Sequence, residues 1–243
     1  MTKIVARISN AKLVVCTYIA TMTPKEIYIV ARAVVRTMRD SEQTQEIHVT
    51  EELTGRGRFR EIRERYFTGV EGQDLLRERP ELCSAEVDYD ALRALPEHTL
   101  GNTYARHLVD HGLSADYQAA TTTYVDDAEM AYLMRRFRQT HDVWHALTGL
   151  GVEGHEEVII HAFSWGQLRL PVSAMVVVFG TLKHIVGEKR WGALRYALRE
   201  AYEHGRDAMP LLPIFWERHW DEPLDDVRAR YGIRACTSAY VSG

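Results

Sequence analysis

The chain has little cysteine. Cys16, Cys83 and Cys236 stand far apart, and no CxxC pair occurs. An odd, scattered set argues against a disulfide framework and points to a reducing compartment. Long apolar runs are also missing. The longest, LPVSAMVVVFGTL from Leu170 to Leu182, is flanked by Arg169 and Lys183. It is shorter than the roughly 20 residues that cross a bilayer, and it reads as a buried core helix. The run AKLVVCTYIA near the start is short and is followed by no clear small-residue cleavage pattern, so no secretory signal is read there. There is no excess of positive charge. Lys and Arg number 30 against 34 Asp and Glu, a net charge of −4, which gives no support for a nucleic-acid partner. Repeats and low-complexity linkers are absent, and period-two alternation is scarce, so there is little from which to build strands.

What remains is the composition of an ordinary globular protein. The chain has 243 residues, 46% hydrophobic and 26% charged, ample for a real core. Helical spacing dominates. TPKEIYIVARAVVRTMRD places Ile27, Val30, Val34 and Met38 on one face and Arg32, Arg36 and Arg39 on another, the pattern of a membrane-surface helix or of a packed helix with a solvated basic face. LGNTYARHLVDHGLS reads as a helix closed by Gly112. DDAEMAYLMRRFRQTHDVWHALTGLG is the clearest helix, with a capping-box-like start at Asp126 and Glu129 and a stop at Gly149 and Gly151. EEVIIHAFSWGQLRL follows, and then a helix opened by Pro171. EKRWGALRYALREAYEHGRD comes next. A last helix is expected near DEPLDDVRARYG, with Asp221 as cap and Pro223 in its first turn. The stretch from Thr54 to Gly72 has the weakest pattern and reads as a connection. The expectation is a single all-α domain over residues 1–243, a helical bundle.

The chemistry concentrates in RQTHDVWHALTGLGVEGHEEVIIH, residues 138–161. On a helix, successive residues advance about 100°, so Met134, Arg138, His141 and His145 share a sector and Asp142 sits at its edge. His141 and His145 are i, i+4, the spacing at which two imidazoles grip one ion. Asp142 offers an oxygen ligand or holds a ligand histidine from behind. Beyond the glycine turn, Glu157 can return to the same ion, with His161 one turn further on the same face. Nitrogen and oxygen donors together suit zinc or another divalent metal. A zinc-protease assignment fails because the motif is HDxxH and lacks the glutamate base of HExxH. The plain alternative is an ordinary helical histidine pair among surface acids.

The motif resembles that of the coenzyme Q biosynthesis protein four family: HDxxH, eleven residues, then Glu, here His141, Asp142, His145 and Glu157 with residues 146–156 between. LPEHTLGNTYARHLVDHGLSAD, YVDDAEMAYLMRRFRQTHDVWH, LPVSAMVVVFG and GRDAMPLLPIFWERHWDEPLDDVRARYGI are similar to family segments, and the resemblance covers about residues 10–233. Two departures stand out. A QTGLP-like turn reads QLRLP here, with Arg169 in place of glycine, and His161 stands where lysine is common. The resemblance implies an α-helical protein of ubiquinone biosynthesis with a divalent metal, zinc first and magnesium, iron or manganese as alternatives, held by the HDxxH and Glu residues. It implies a polyprenylated benzoate or other isoprenoid lipid as ligand, and loss of the ring carboxylate with a hydroxyl in its place. A non-catalytic prenyl-lipid carrier or scaffold for other quinone-biosynthesis proteins is the alternative. An HD-type phosphohydrolase, enlisting His107 and His111 or Asp126 and Asp127, ranks last.

On that basis Glu157 and Arg138 are the expected catalytic residues, with Arg138 holding a substrate anion or else lying as a solvent-facing arginine. His161, Trp165, Leu168, Val172, Met175, Val176 and Phe179 are the expected substrate contacts. The apolar members of that set would equally suit a plain core helix. Trp144 and Trp165 would shield the site or simply pack. The expected setting is cytoplasmic and peripheral on the inner face of a membrane, on the matrix side in a mitochondrion. A homodimer is a further possibility.

Overall fold

A computed structural model describes residues 22–39, 44–116, 123–188 and 191–236. Every regular element among them is helical: α1 (Pro24–Arg39), α2 (Thr44–Tyr66), α3 (Val70–Glu78), α4 (Tyr89–Ala94), α5 (Leu100–Asp110), α6 (Ala128–Thr148), α7 (Gly154–Leu168), α8 (Pro171–Glu188), α9 (Trp191–Asp207) and α10 (Leu224–Tyr231), with a 3₁₀ turn at Trp216–Arg218. The expectation of a single all-α domain holds. Cys16 and the first apolar run lie outside the described residues.

The bundle is organised around α6. From Tyr132 to Thr148 all but Arg135 and His141 are buried, so this helix has neighbours on every side. Several of its polar side chains are consequently paired, as burial requires. Arg136, fully buried, meets both carboxylate oxygens of Glu217 at 2.6 and 2.8 Å. Gln139 donates to Glu81 at 2.7 Å and accepts from the Leu82 amide at 3.1 Å. Phe59, Phe137, Trp144 and Phe163 stack edge to face through the centre at 5.8–6.1 Å. Trp144 is therefore a packing residue of the core.

α7 and α9 cross at backbone contact. A Cβ on Gly166 would strike the Tyr202 carbonyl, and one on Gly205 would strike that of Phe163. Only glycine permits that approach. Gln167 locks the crossing, donating to the Gly205 carbonyl at 2.6 Å and accepting from the Leu211 amide at 3.0 Å. The turn after α7 brings α8 back along it.

Several expectations require correction. The stretch from Thr54 is no connection: α2 runs on to Tyr66. Phe59 and Ile62 are completely buried, and Arg58 Nε donates to the Leu168 carbonyl at 2.6 Å. Tertiary contacts thus impose a helix on a segment with little amphipathic signal. The cap of α6 is Asp127, whose carboxylate accepts from the Met130 amide at 2.7 Å. Glu129 turns instead to Arg63 at 2.7 Å. α6 stops at Gly149, in the left-handed region at φ 72°, and α7 opens with a Glu153–Glu156 capping box. α10 begins one residue after Pro223, not inside Asp221 as cap, because the Leu224 amide is taken by the His98 carbonyl at 2.7 Å.

Candidate metal centre

The i, i+4 spacing on α6 puts His141 and His145 side by side, with Nε2 atoms 3.2 Å apart. α7 returns antiparallel and lays Glu157 against both, at 3.5 Å from His141 and 3.4 Å from His145. One ligand atom from each of the three lies within 4.8 Å of the others. The tautomer of His145 is fixed. Its Nδ1 faces the Leu150 carbonyl at 3.1 Å, and a carbonyl only accepts, so Nδ1 carries the proton and Nε2 keeps its lone pair. That is the arrangement of a metal-binding histidine held from behind by a backbone oxygen. The residues fit a divalent ion.

Charge within the group is balanced between Glu157 and the imidazoles. Burial opposes ionisation of Glu157, but the imidazoles of His141 and His145 outweigh it and hold the carboxyl down at about 2. Burial likewise opposes charge on His141, yet the carboxylates of Glu157, Asp142 and Glu51 push its imidazole above 6.5. Burial dominates at His145 and lowers it to about 4.

Asp142 is buried beside this group rather than within it. Burial raises its carboxyl to about 6 against the pull of His141, and its charge is felt by the hydroxyls of Tyr89 and Tyr104. His161 packs its ring 5.2 Å from that of His141, with Nδ1 buried and without a hydrogen-bond partner among the described residues. Trp165, one turn on, is buried with the Arg169 guanidinium 5.8 Å from its ring. Leu168 and Val172 belong to the central core, whereas Met175, Val176 and Phe179 are only partly buried.

Arg138 is neither solvent-facing nor an open anion fork. It is 3% exposed, and α2 meets it with Glu51 at 3.1 Å and Glu52 at 2.8 Å. A buried cation needs such partners, and those carboxylates occupy the place intended for a substrate anion.

Sequence reasoning missed the α2 contribution of His48, Glu51 and Glu52, all buried. Glu52 also accepts from the amides of Thr123 and Tyr124 at 3.0 and 3.2 Å. The available signal was IHVTEELTG, two adjacent acids in a stretch whose other residues, His48 apart, are small or apolar.

The comparisons with known proteins extend over most of the chain. It is 30% identical to the mitochondrial ubiquinone biosynthesis protein COQ4 homolog of Bos taurus over 216 residues, covering 89% of this chain and 81% of that one. It is 37% identical to the mitochondrial COQ4 homolog of Nematostella vectensis, over 67% of this chain and 78% of that one. The mitochondrial COQ4 protein of Coprinopsis cinerea is 31% identical over 71% of this chain, which spans 58% of that protein's length. A crystal structure of a Nostoc punctiforme protein ascribed to ubiquinone biosynthesis superposes with a TM-score of 0.65 at 24% identity, over 85% of this chain and 97% of that one. It therefore shares the fold. The sequence model of the coenzyme Q (ubiquinone) biosynthesis protein Coq4 matches residues 17–237, a span that contains the HDxxH helix, the returning glutamate and every helix packed around them, and the chain belongs to that family.

Proposed function

We propose that this Coq4-family protein is a metal-dependent hydroxylating decarboxylase that holds a polyprenylated hydroxybenzoate and replaces its ring carboxylate with a hydroxyl. The observation that carries the reading is the convergence of His141, His145 and Glu157 within 4.8 Å, with His145 Nε2 held ready by the Leu150 carbonyl. A divalent ion bound there supplies a Lewis acid that draws charge from a carboxylate or phenolic oxygen. Zinc suits the donors. Iron or manganese suits them too and adds redox capacity, and magnesium is the oxygen-preferring alternative. Asp142 places negative charge beside His141, and Glu51 adds to it once ionised. Arg138, engaged by Glu51 and Glu52, fixes α2 behind the ligand helix.

The reaction breaks the bond between the ring and its carboxylate carbon, which leaves as carbon dioxide, and forms a ring carbon–oxygen bond. Dioxygen is the oxidant, and an external two-electron reductant takes its second oxygen atom to water. The isoprenoid tail lies along α8 over Met175, Val176 and Phe179, with Leu168 and Val172 as the fixed floor and His161 and Trp165 between the tail and the metal ligands. The supporting observation is the apolar surface there: Val178 and Leu182 are 56% and 50% exposed. α1 adds Ile27, Tyr28 and Val35 beside the exposed Arg32, although Arg36 pairs with Glu46 at 2.6 Å and the side chain of Arg39 lies outside the described residues. Among the described residues no helix is long and apolar enough to cross a membrane. A peripheral position on the inner face of a membrane, in contact with other quinone-biosynthesis proteins or a second copy of the chain, follows from this reading.

The test begins with elemental analysis of the purified protein. The wild type should carry a divalent metal that His145→Ala lacks, and equal metal in both would sink the metal centre. With a short-chain prenyl-hydroxybenzoate, dioxygen and a reductant, the wild type should release carbon dioxide and yield the hydroxylated ring. Glu157→Gln should lose most of this activity. Val176→Arg should abolish uptake of a fluorescent prenyl analogue while remaining folded. If the wild type and Glu157→Gln both bind lipid and neither turns over, the protein is a carrier or scaffold.

A further inference from the structure

α5 carries a second i, i+4 histidine pair, His107 and His111, with ring centroids 4.6 Å apart. It stands next to the first pair. The ring of His107 stacks on that of His145 at 5.2 Å and 20°. Two features separate it from an incidental pair of helical histidines. His111 Nδ1 lies 2.9 Å from the His107 carbonyl, which must accept, so Nδ1 carries the proton and Nε2 is left as a lone-pair donor. This repeats the way the Leu150 carbonyl holds His145. His107 is 8% exposed, and its Nε2 is buried with no hydrogen-bond partner among the described residues, an arrangement that costs free energy unless something binds there.

Both side chains line a cavity of about 500 Å³ that reaches from solvent to His145. Glu97, Arg106 and Asp110 stand in the same wall. Among the described residues Glu97 is held only by an exposed contact of 3.4 Å with Arg106, the kind of ion pair that contributes little. Imidazole nitrogens favour a divalent transition metal over magnesium or calcium.

We propose that His107 and His111 form a second divalent-cation site, separate in its ligands from the His141–His145–Glu157 centre and sharing only the wall at His145. Among the described residues no third protein ligand is grouped with the pair, so water from the cavity completes the shell. Binding there is weaker than at the first centre.

The experiment is equilibrium dialysis of the metal-stripped, full-length chain against cobalt(II), followed by the visible absorption of the bound ion. The wild type should take up a tight equivalent and then a weaker one. His111→Ala, at an exposed position that leaves the core intact, should lose the weaker equivalent and its absorption band and keep the tight one. His145→Ala should do the reverse. The inference is overturned if His111→Ala binds as many equivalents as the wild type, or if the wild type takes up only the tight one. A weak, His111-dependent equivalent without any tight one would support this site and refute the proposed catalytic centre, so the two readings fail separately.

Discussion

Arg169 sits at the C-cap of α7 with φ 56° and ψ 30°, a left-handed conformation that costs a non-glycine residue about 1–2 kcal/mol. The cost is offset by its guanidinium, 4.8 Å from the Tyr202 ring and 5.8 Å from that of Trp165, contacts worth about 0.5–1 kcal/mol each at exposed sites. The strain and the contacts nearly balance. Arg169→Gly removes both and should change unfolding stability by less than about 1 kcal/mol. Arg169→Ala removes the contacts and keeps the strain, and it should cost about 1 kcal/mol. Chemical denaturation of the two variants distinguishes the cases, and an alanine variant as stable as the glycine one would contradict the balance.

At the scale of the element, α2 carries opposing titrations on one buried face. Burial, helped by the Arg138 charge, lowers His48 from 6.5 to about 3. The unfolded chain therefore binds that proton first, and stability falls as pH drops from 6.5 toward 3. Burial raises Glu51 from 4.5 to about 7, overcoming the pull of Arg138. Here the folded state holds the proton that the unfolded chain releases, and stability falls as pH rises from 4.5 toward 7. His48→Gln should flatten the acid limb of stability against pH, and Glu51→Gln should flatten the limb above pH 4.5. Both are read from denaturant unfolding at a series of pH values. An unchanged acid limb in His48→Gln would show that this imidazole is not the group that titrates.

For the whole molecule, the core does not depend on an ion. Phe59, Ile62, Leu133, Trp144, Leu147, Phe163 and Trp216 are buried with no more than traces of exposure, and they span α2, α6, α7 and the segment after α9. Chelation should leave the far-ultraviolet circular dichroism unchanged. It should still lower the melting temperature, because a ligand bound only to the folded state at a hundred times its Kd adds about 2.7 kcal/mol, roughly 5–11 °C for a chain of this size. Loss of helical signal on chelation would mean that the centre is structural.

The sequence by itself determined the helical class, the long α6, the adjacent histidine pair and the returning glutamate. All of these rest on local spacing: i, i+4 places His141 beside His145 whatever surrounds them. The family was legible from the same residues. The sequence did not reveal what surrounds that spacing. Whether Arg138 faced a substrate or two carboxylates depended on α2, whose contact with α6 links residues 86 or 87 positions apart and whose own pattern was too weakly amphipathic to read. His107 and His145 share no sequence signal, since their stacking exists only because α5 packs on α6. The burial of Leu168 and Val172 in the central core was likewise decided at the α7–α8 turn. Local periodicity specifies which face a residue occupies. Only packing decides what meets that face, because burial and charge pairing are properties of the contact between elements that are distant in the chain.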